Sequence, residues 1–128
     1  MDDIILTGND RDEIDRLKRL LTKEFETKDL GSLKYFLRIE VARSWKGIFL
    51  SQRKYILDIL KETGMSRCKP SDVPIESNHR LGVITKSSLV NKEQFQSLVG
   101  KLIYLCHTRP DITFAVCVVS QFMHSPNV

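Results

Sequence analysis

The chain has 128 residues, 41% of them hydrophobic and 28% charged, with 20 Lys/Arg, 16 Asp/Glu and a net charge of +4. That length suits one domain with a modest core, and the balance is that of an ordinary soluble globular protein. The longest apolar run, Phe114 to Val119, is far short of the ~20 residues a spanning helix needs; Asp2 and Asp3 also stand where a secretory signal would carry positive charge, so neither a membrane partner nor secretion is expected.

From the N-terminus, Asp2-Asp3 runs into Ile4-Ile5-Leu6-Thr7, closed by Gly8-Asn9-Asp10, which predicts a short strand ending in a turn. Asp10, followed three residues later by Glu13, has the spacing of a capping box. Ile14, Leu17, Leu21 and Phe25 then recur on one face of a helix that needs a sheet or another helix beneath it. After the turn Asp29-Leu30-Gly31-Ser32, the segment Leu33 to Arg43 alternates. Leu33, Tyr35, Leu37, Ile39 and Val41 fall on one face, with Lys34, Arg38 and Glu40 on the other, which predicts one continuous strand.

Ser44-Trp45-Lys46-Gly47 reads as a hairpin loop and Ile48-Phe49-Leu50 as the returning strand. Ser51 can cap the next helix, whose Ile56, Leu57, Ile59 and Leu60 face inward before Gly64 stops it. Periodicity is lost from Met65 to about Val90, an extended connection marked by Pro70 and Pro74. Two helices close the chain. The first carries Phe95, Leu98, Val99, Leu102 and Ile103. The second begins at Pro110 and is apolar nearly all round, so it is expected to be buried. The order is an α+β pattern with antiparallel strands and packed helices.

Cys68, Cys106 and Cys117 cannot all pair within one chain, and none has Cys-x-x-Cys spacing. A reduced intracellular setting follows. With His79, His107 and His124 they make no zinc pattern, and Cys106-His107, at the end of an apolar helix, reads as packing. Charge is uneven: residues 1–32 carry −3 and residues 33–128 carry +7. An acidic front and a basic body are compatible with a polyanion lying over the body and a metal at the front; solvated basic faces would give the same count.

Taken together, Asp2-Asp3-Ile4-Ile5-Leu6-Thr7-Gly8, Lys28-Asp29-Leu30-Gly31, Leu33-Lys34-Tyr35-Phe36-Leu37, Gly47-Ile48-Phe49-Leu50-Ser51-Gln52, Leu98-Val99-Gly100-Lys101-Leu102-Ile103-Tyr104-Leu105 and Thr108-Arg109-Pro110-Asp111 resemble the reverse transcriptase region of copia-type long-terminal-repeat retrotransposon Pol polyproteins. The resemblance runs along essentially the whole chain. It implies a truncated polymerase palm over 1–64 with a primer-gripping hairpin from Leu33 to Leu50, an extended connection over 65–90, and the start of a helical thumb over 91–128.

Asp2 and Asp3 match the two aspartates of the family's Tyr-x-Asp-Asp box. The resemblance makes them catalytic ligands of Mg²⁺, Asp2 bridging the metals and Asp3 its weaker partner, for RNA-directed DNA synthesis by two-metal phosphoryl transfer. Lys34, Arg38, Arg43 and Lys46 are the candidates for nucleic-acid contact. The implied partners are an RNA/DNA template–primer, deoxynucleoside triphosphates and the remainder of the Pol polyprotein. The implied location is cytoplasmic, in a virus-like particle for the intact element.

Three departures bear on activity. The Tyr of the box, the fingers and the upstream metal-binding aspartate are absent. Arg38 stands where relatives usually have Gly, and would either block close approach of the backbone to a primer or point to solvent. The chain also stops where relatives continue toward ribonuclease H. The expectation is a fragment that is inactive in isolation, binds Mg²⁺ weakly, and exposes an unpaired edge at Ile4 to Thr7. A non-catalytic nucleic-acid-binding remnant and an expressed relic without selected function remain the alternatives.

Overall fold

The computed structural model describes residues 3–79 and 91–123. Helix α1 (Arg11–Glu24) comes first, then strands β1 (Tyr35–Phe36), β2 (Ile39–Ser44) and β3 (Gly47–Ser51), helix α2 (Arg53–Glu62), helix α3 (Lys92–Leu105), a 3-10 turn at Pro110–Ile112, and helix α4 (Thr113–Ser120). The three strands form one antiparallel sheet in the order β1-β2-β3. The α+β class expected from the sequence is therefore observed, while the N-terminal strand is not. Residues 3–7 adopt no strand, because a short apolar run has no ladder of its own without a neighbouring strand. Instead Ile5, Leu6, Ile14 and Leu17 line one shallow cleft along the first turns of α1.

Helix α1 starts where the capping signal placed it. Asp10 Oδ1 accepts from the Glu13 amide at 3.1 Å. The reciprocal half of the box is missing, since the Glu13 carboxylate is taken by Arg16 at 3.3 Å. The row Ile14, Leu17, Leu21 and Phe25 does not gain the cover expected of it: no residue of α1 is buried, and Phe25 is exposed.

The predicted single strand from Leu33 to Arg43 is two strands. The chain reverses at Leu37 and Arg38, whose φ angles are 46° and 65°, as a two-residue hairpin turn with both central residues left-handed requires. Tyr35 then pairs with Glu40 and Phe36 with Ile39, so Tyr35 leaves the face that alternation assigned it. Across β2 and β3, Val41 faces Leu50, Ala42 faces Phe49 and Arg43 faces Ile48.

Helix α2 is capped from across the sheet. Gln52 occupies the N-cap position without a side-chain cap bond, and Ser51, the residue expected to cap, instead donates to Glu40 Oε2 at 3.2 Å. The same Oε2 accepts from the Arg53 amide at 3.1 Å, so a β2 carboxylate meets the free amides and positive end of the helix. At the other end Gly64 has φ 71°, the Gly64 amide donates to the Lys61 carbonyl and the Met65 amide to the Leu60 carbonyl. That is a Schellman closure, and it ends the helix where the glycine predicted.

The core joins α2 to α3 across the connection. Tyr55, Ile59 and Leu105 form its centre, with Ile56, Leu98, Leu102, Tyr104 and Ile112 packed around them. Val99 is 1% exposed, and the ion pair from Lys101 to Glu62 ties the same two helices at the surface. Within the connection, residues 66–79 hold no helix or strand. Helix α4 departs from expectation. Val116 is its one buried residue, while Phe114 is 70% exposed and Cys117 lies open to solvent, because neighbours cover one side of an all-apolar helix and nothing among the described residues covers the other.

Candidate nucleic-acid interface

The basic residues picked out by sequence fall on the three-stranded sheet, and the fold strings them along it. Lys34 immediately precedes β1, and its carbonyl accepts from the Val41 amide at 2.7 Å. Arg38 sits in the β1–β2 turn, Arg43 is near the far end of β2, and Lys46 is at the β2–β3 tip. All four are exposed. A six-residue strand spans roughly 20 Å, so Arg38 and Lys46 mark the two ends of a basic stripe. The single acidic residue of this region, Glu40, is half-buried and turned to Ser51 and the α2 amide, which leaves the stripe's outward charge positive.

One end of the stripe is anchored by two tyrosines, Tyr55 and Tyr104, to which the sequence pattern assigned no role. The Tyr104 hydroxyl donates to the Leu37 carbonyl. The Arg38 guanidinium lies 5.4 Å from the Tyr55 ring centre, within cation–π range. Tyr55 and Tyr104 meet edge to face at 5.5 Å, and the Tyr55 hydroxyl reaches the Lys101 carbonyl at 3.4 Å. Burial pushes the Tyr55 phenol above its ordinary pKa, against the opposing pull of Arg38 and Lys101. Arg38 thus neither projects freely nor folds under the turn; it lies on a tyrosine. The one signal available beforehand was a polar-tipped aromatic, Tyr55 or Tyr104, beside the apolar row of each of the two helices.

A second buried polar contact closes the end of β3. Gln52 is 2% exposed. Its Oε1 accepts from the Thr108 hydroxyl at 2.7 Å, joining the start of α2 to the loop after α3. In that loop Arg109 forms a two-bond pair with Asp111, at 2.9 and 2.7 Å. Donation from Arg109 holds the Asp111 carboxyl below its ordinary pKa.

The candidate metal ligands are placed less fully. Asp2 lies outside the described residues, and Asp3 is exposed on irregular backbone. Among the described residues no three His, Cys, Asp or Glu side chains come together in a metal-binding group. Two adjacent carboxylates offer the hard oxygen donors that Mg²⁺ prefers, but the described residues build no cluster of three such ligands around Asp3. All three cysteines are free, and among the described residues no helix is long and apolar enough to cross a membrane.

Comparison with known proteins gives the family. The profile of the reverse transcriptase (RNA-dependent DNA polymerase) family matches residues 1–77. The chain is 42% identical over 126 residues to the retrovirus-related Pol polyprotein from transposon RE1 of Arabidopsis thaliana, covering 98% of this chain and 9% of that protein. It is 34% identical over 135 residues to the Pol polyprotein from transposon TNT 1-94 of Nicotiana tabacum, covering 98% of the chain and 10% of the relative. An uncharacterized mitochondrial protein of Arabidopsis thaliana is 41% identical over 128 residues, with 100% of this chain and 53% of the relative covered. The chain therefore spans about a tenth of the Pol polyproteins and about half of the mitochondrial relative. No solved structure matches. A family profile over more than half the chain, and plant Pol polyproteins aligned along nearly all of it, establish that the chain belongs to the reverse transcriptase family of copia-type retrotransposon Pol polyproteins.

Proposed function

We propose that this chain is the part of an RNA-directed DNA polymerase that holds the primer end of a template–primer, with the hairpin from Leu33 to Leu50 as the gripping element. The observation that carries the reading is the basic stripe of Lys34, Arg38, Arg43 and Lys46 on a sheet whose Leu37–Arg38 turn is fixed by Tyr104 and Tyr55. A rigid turn bearing cations suits a phosphate backbone, because phosphate contacts set position without reading sequence. In this reading residues 1–64 belong to the palm and residues 91–128 begin the thumb, with 65–90 connecting them.

Asp2 and Asp3 are the residues that would hold Mg²⁺ in the full-length enzyme. The metal, when bound, activates the primer hydroxyl and neutralises charge on the departing pyrophosphate. The chain's own contribution is to bind and orient the duplex. Two-metal phosphoryl transfer needs both ions clamped, and the described residues gather no group of three His, Cys, Asp or Glu side chains, so the isolated chain is proposed to bind nucleic acid without extending a primer.

The test is primer extension by the isolated chain and by a longer Pol protein containing it, each with Asp3→Ala as control. Extension by the longer protein alone, abolished in the variant, supports the reading. Extension by the isolated chain overturns its proposed inactivity, and an unaffected Asp3→Ala enzyme overturns the carboxylate's role. The second reading, a binding module without catalysis, rests on the exposure of Lys34, Arg38, Arg43 and Lys46 alone. It requires affinity that falls linearly with salt on logarithmic axes.

A further inference from the structure

We propose that the tip of the β2–β3 hairpin is a stacking platform for an unpaired nucleobase, with Trp45 as the plane on which the base lies and Lys46 and Arg43 as the cations that meet its phosphates. The inference rests on the nucleic-acid reading above and adds a contact that phosphate-binding residues cannot make.

Trp45 is 91% exposed, although a tryptophan is among the costliest side chains to leave in water. The Lys46 ammonium stands 5.0 Å from the ring centre and covers one part of the indole; the rest is open. The tip is held in shape by its own bonds. The Lys46 amide donates to Ser44 Oγ at 3.2 Å, and Ser44 Oγ donates to the Gly47 carbonyl at 3.5 Å. Gly47, at φ 146°, takes a conformation that other residues rarely adopt. The backbone that bears the indole is thus held in one shape, which lowers the entropy cost of binding to it.

Charge chooses the partner. Among the described residues neither Arg43 nor Lys46 has an ion-pair partner, and the nearest acid on the sheet, Glu40, is committed to Ser51 and α2. An apolar protein surface would have to desolvate both cations without compensation. A nucleotide satisfies all three groups at once, its base on the ring and its phosphates on the cations, the combination used on single-stranded nucleic-acid surfaces.

Trp45 is the only tryptophan, so indole emission reports this site alone. The experiment titrates the 128-residue chain with oligothymidine at low salt, following emission. In parallel it follows the anisotropy of the same oligonucleotide carrying fluorescein. The expected result is quenching that saturates together with anisotropy, about tenfold weaker binding for Trp45→Ala, and nearly full binding for Trp45→Phe. Arg43→Ala should weaken binding while leaving the quench at saturation. A blunt duplex should quench little. Anisotropy without quenching, or Trp45→Ala binding as the parent does, overturns the stacking role and leaves the phosphate-binding reading standing. Equal quenching by the duplex overturns the preference for an unpaired base. No binding by the parent at low salt overturns both readings. A blue shift with rising protein concentration and no oligonucleotide would make the tip a protein contact and overturn the proposal.

Discussion

The guanidinium of Arg38 lies over the ring of Tyr55, 5.4 Å from its centre, and this pair holds a turn whose backbone works against its own residue types. Leu37 and Arg38 both have positive φ, a region that costs a non-glycine residue about 1–2 kcal/mol. The strain is offset from outside the turn, by the Tyr104 hydroxyl on the Leu37 carbonyl and by the Tyr55 ring under Arg38. The Arg38 end of the basic stripe is therefore fixed by helices α2 and α3.

Arg38→Gly removes the left-handed penalty, about 1 kcal/mol, and loses a cation–π contact worth about 0.5–1 kcal/mol at an exposed site. Its stability in urea should match the parent closely, whereas Arg38→Val should be clearly less stable. If Arg38 also meets a phosphate, the glycine variant lowers the slope of log affinity against log salt by about one. Urea midpoints and a salt series on the same proteins check both statements.

The pH dependence of folding should show Tyr55. Its folded pKa is raised by burial, so the folded chain holds this proton more tightly than the unfolded chain does. The associated stability is complete below the usual tyrosine pKa of about 10 and is lost as pH rises through the folded value. Thermal midpoints should fall above about pH 10 in the parent, and Tyr55→Phe should flatten that part of the curve.

Glu40 acts on α2 through space rather than through sequence. Removing it as Glu40→Ala leaves the Arg53 amide and the Ser51 hydroxyl without their shared acceptor, and should cost about 1 kcal/mol, the usual worth of an N-cap. Ser51→Ala should cost less, since it leaves the amide bond in place. Thermal denaturation of the two variants orders them.

Stability should be concentrated in α2 and α3. Ile59→Ala opens the cluster with Tyr55 and Leu105 and is expected to cost about 2–5 kcal/mol. Leu20→Ala on α1, where no residue is buried, should fall within about 0.5 kcal/mol of the parent. Amide exchange should likewise be faster in α1 than in α3. Equal costs for the two substitutions would mean that α1 is packed in solution.

Local chemistry determined much of this protein. Asp10 as a cap, Gly64 as a stop, and most of the apolar rows of α2 and α3 act within a few residues of themselves, so they are legible in the chain and recur in the structure. Leu57 and Ile103, expected in those rows, are instead exposed, and the helix expected from Pro110 opens with a 3-10 turn before α4. The order of sequence blocks likewise identified the reverse transcriptase family. What needed tertiary structure was every feature set by a distant partner. Alternation from Leu33 to Val41 reads as one strand because period alone cannot register a reversal at Leu37–Arg38; Tyr55 and Tyr104, 17 and 66 residues further along than Arg38, hold it. Glu40 rather than Ser51 caps α2 because sheet pairing brings β2 beside the helix start. Residues 3–7 are not a strand because strand propensity without a paired neighbour closes no ladder. The exposed faces of α1 and α4 follow the same rule, since an apolar row states what a helix could bury and only the packed chain decides what is there to cover it.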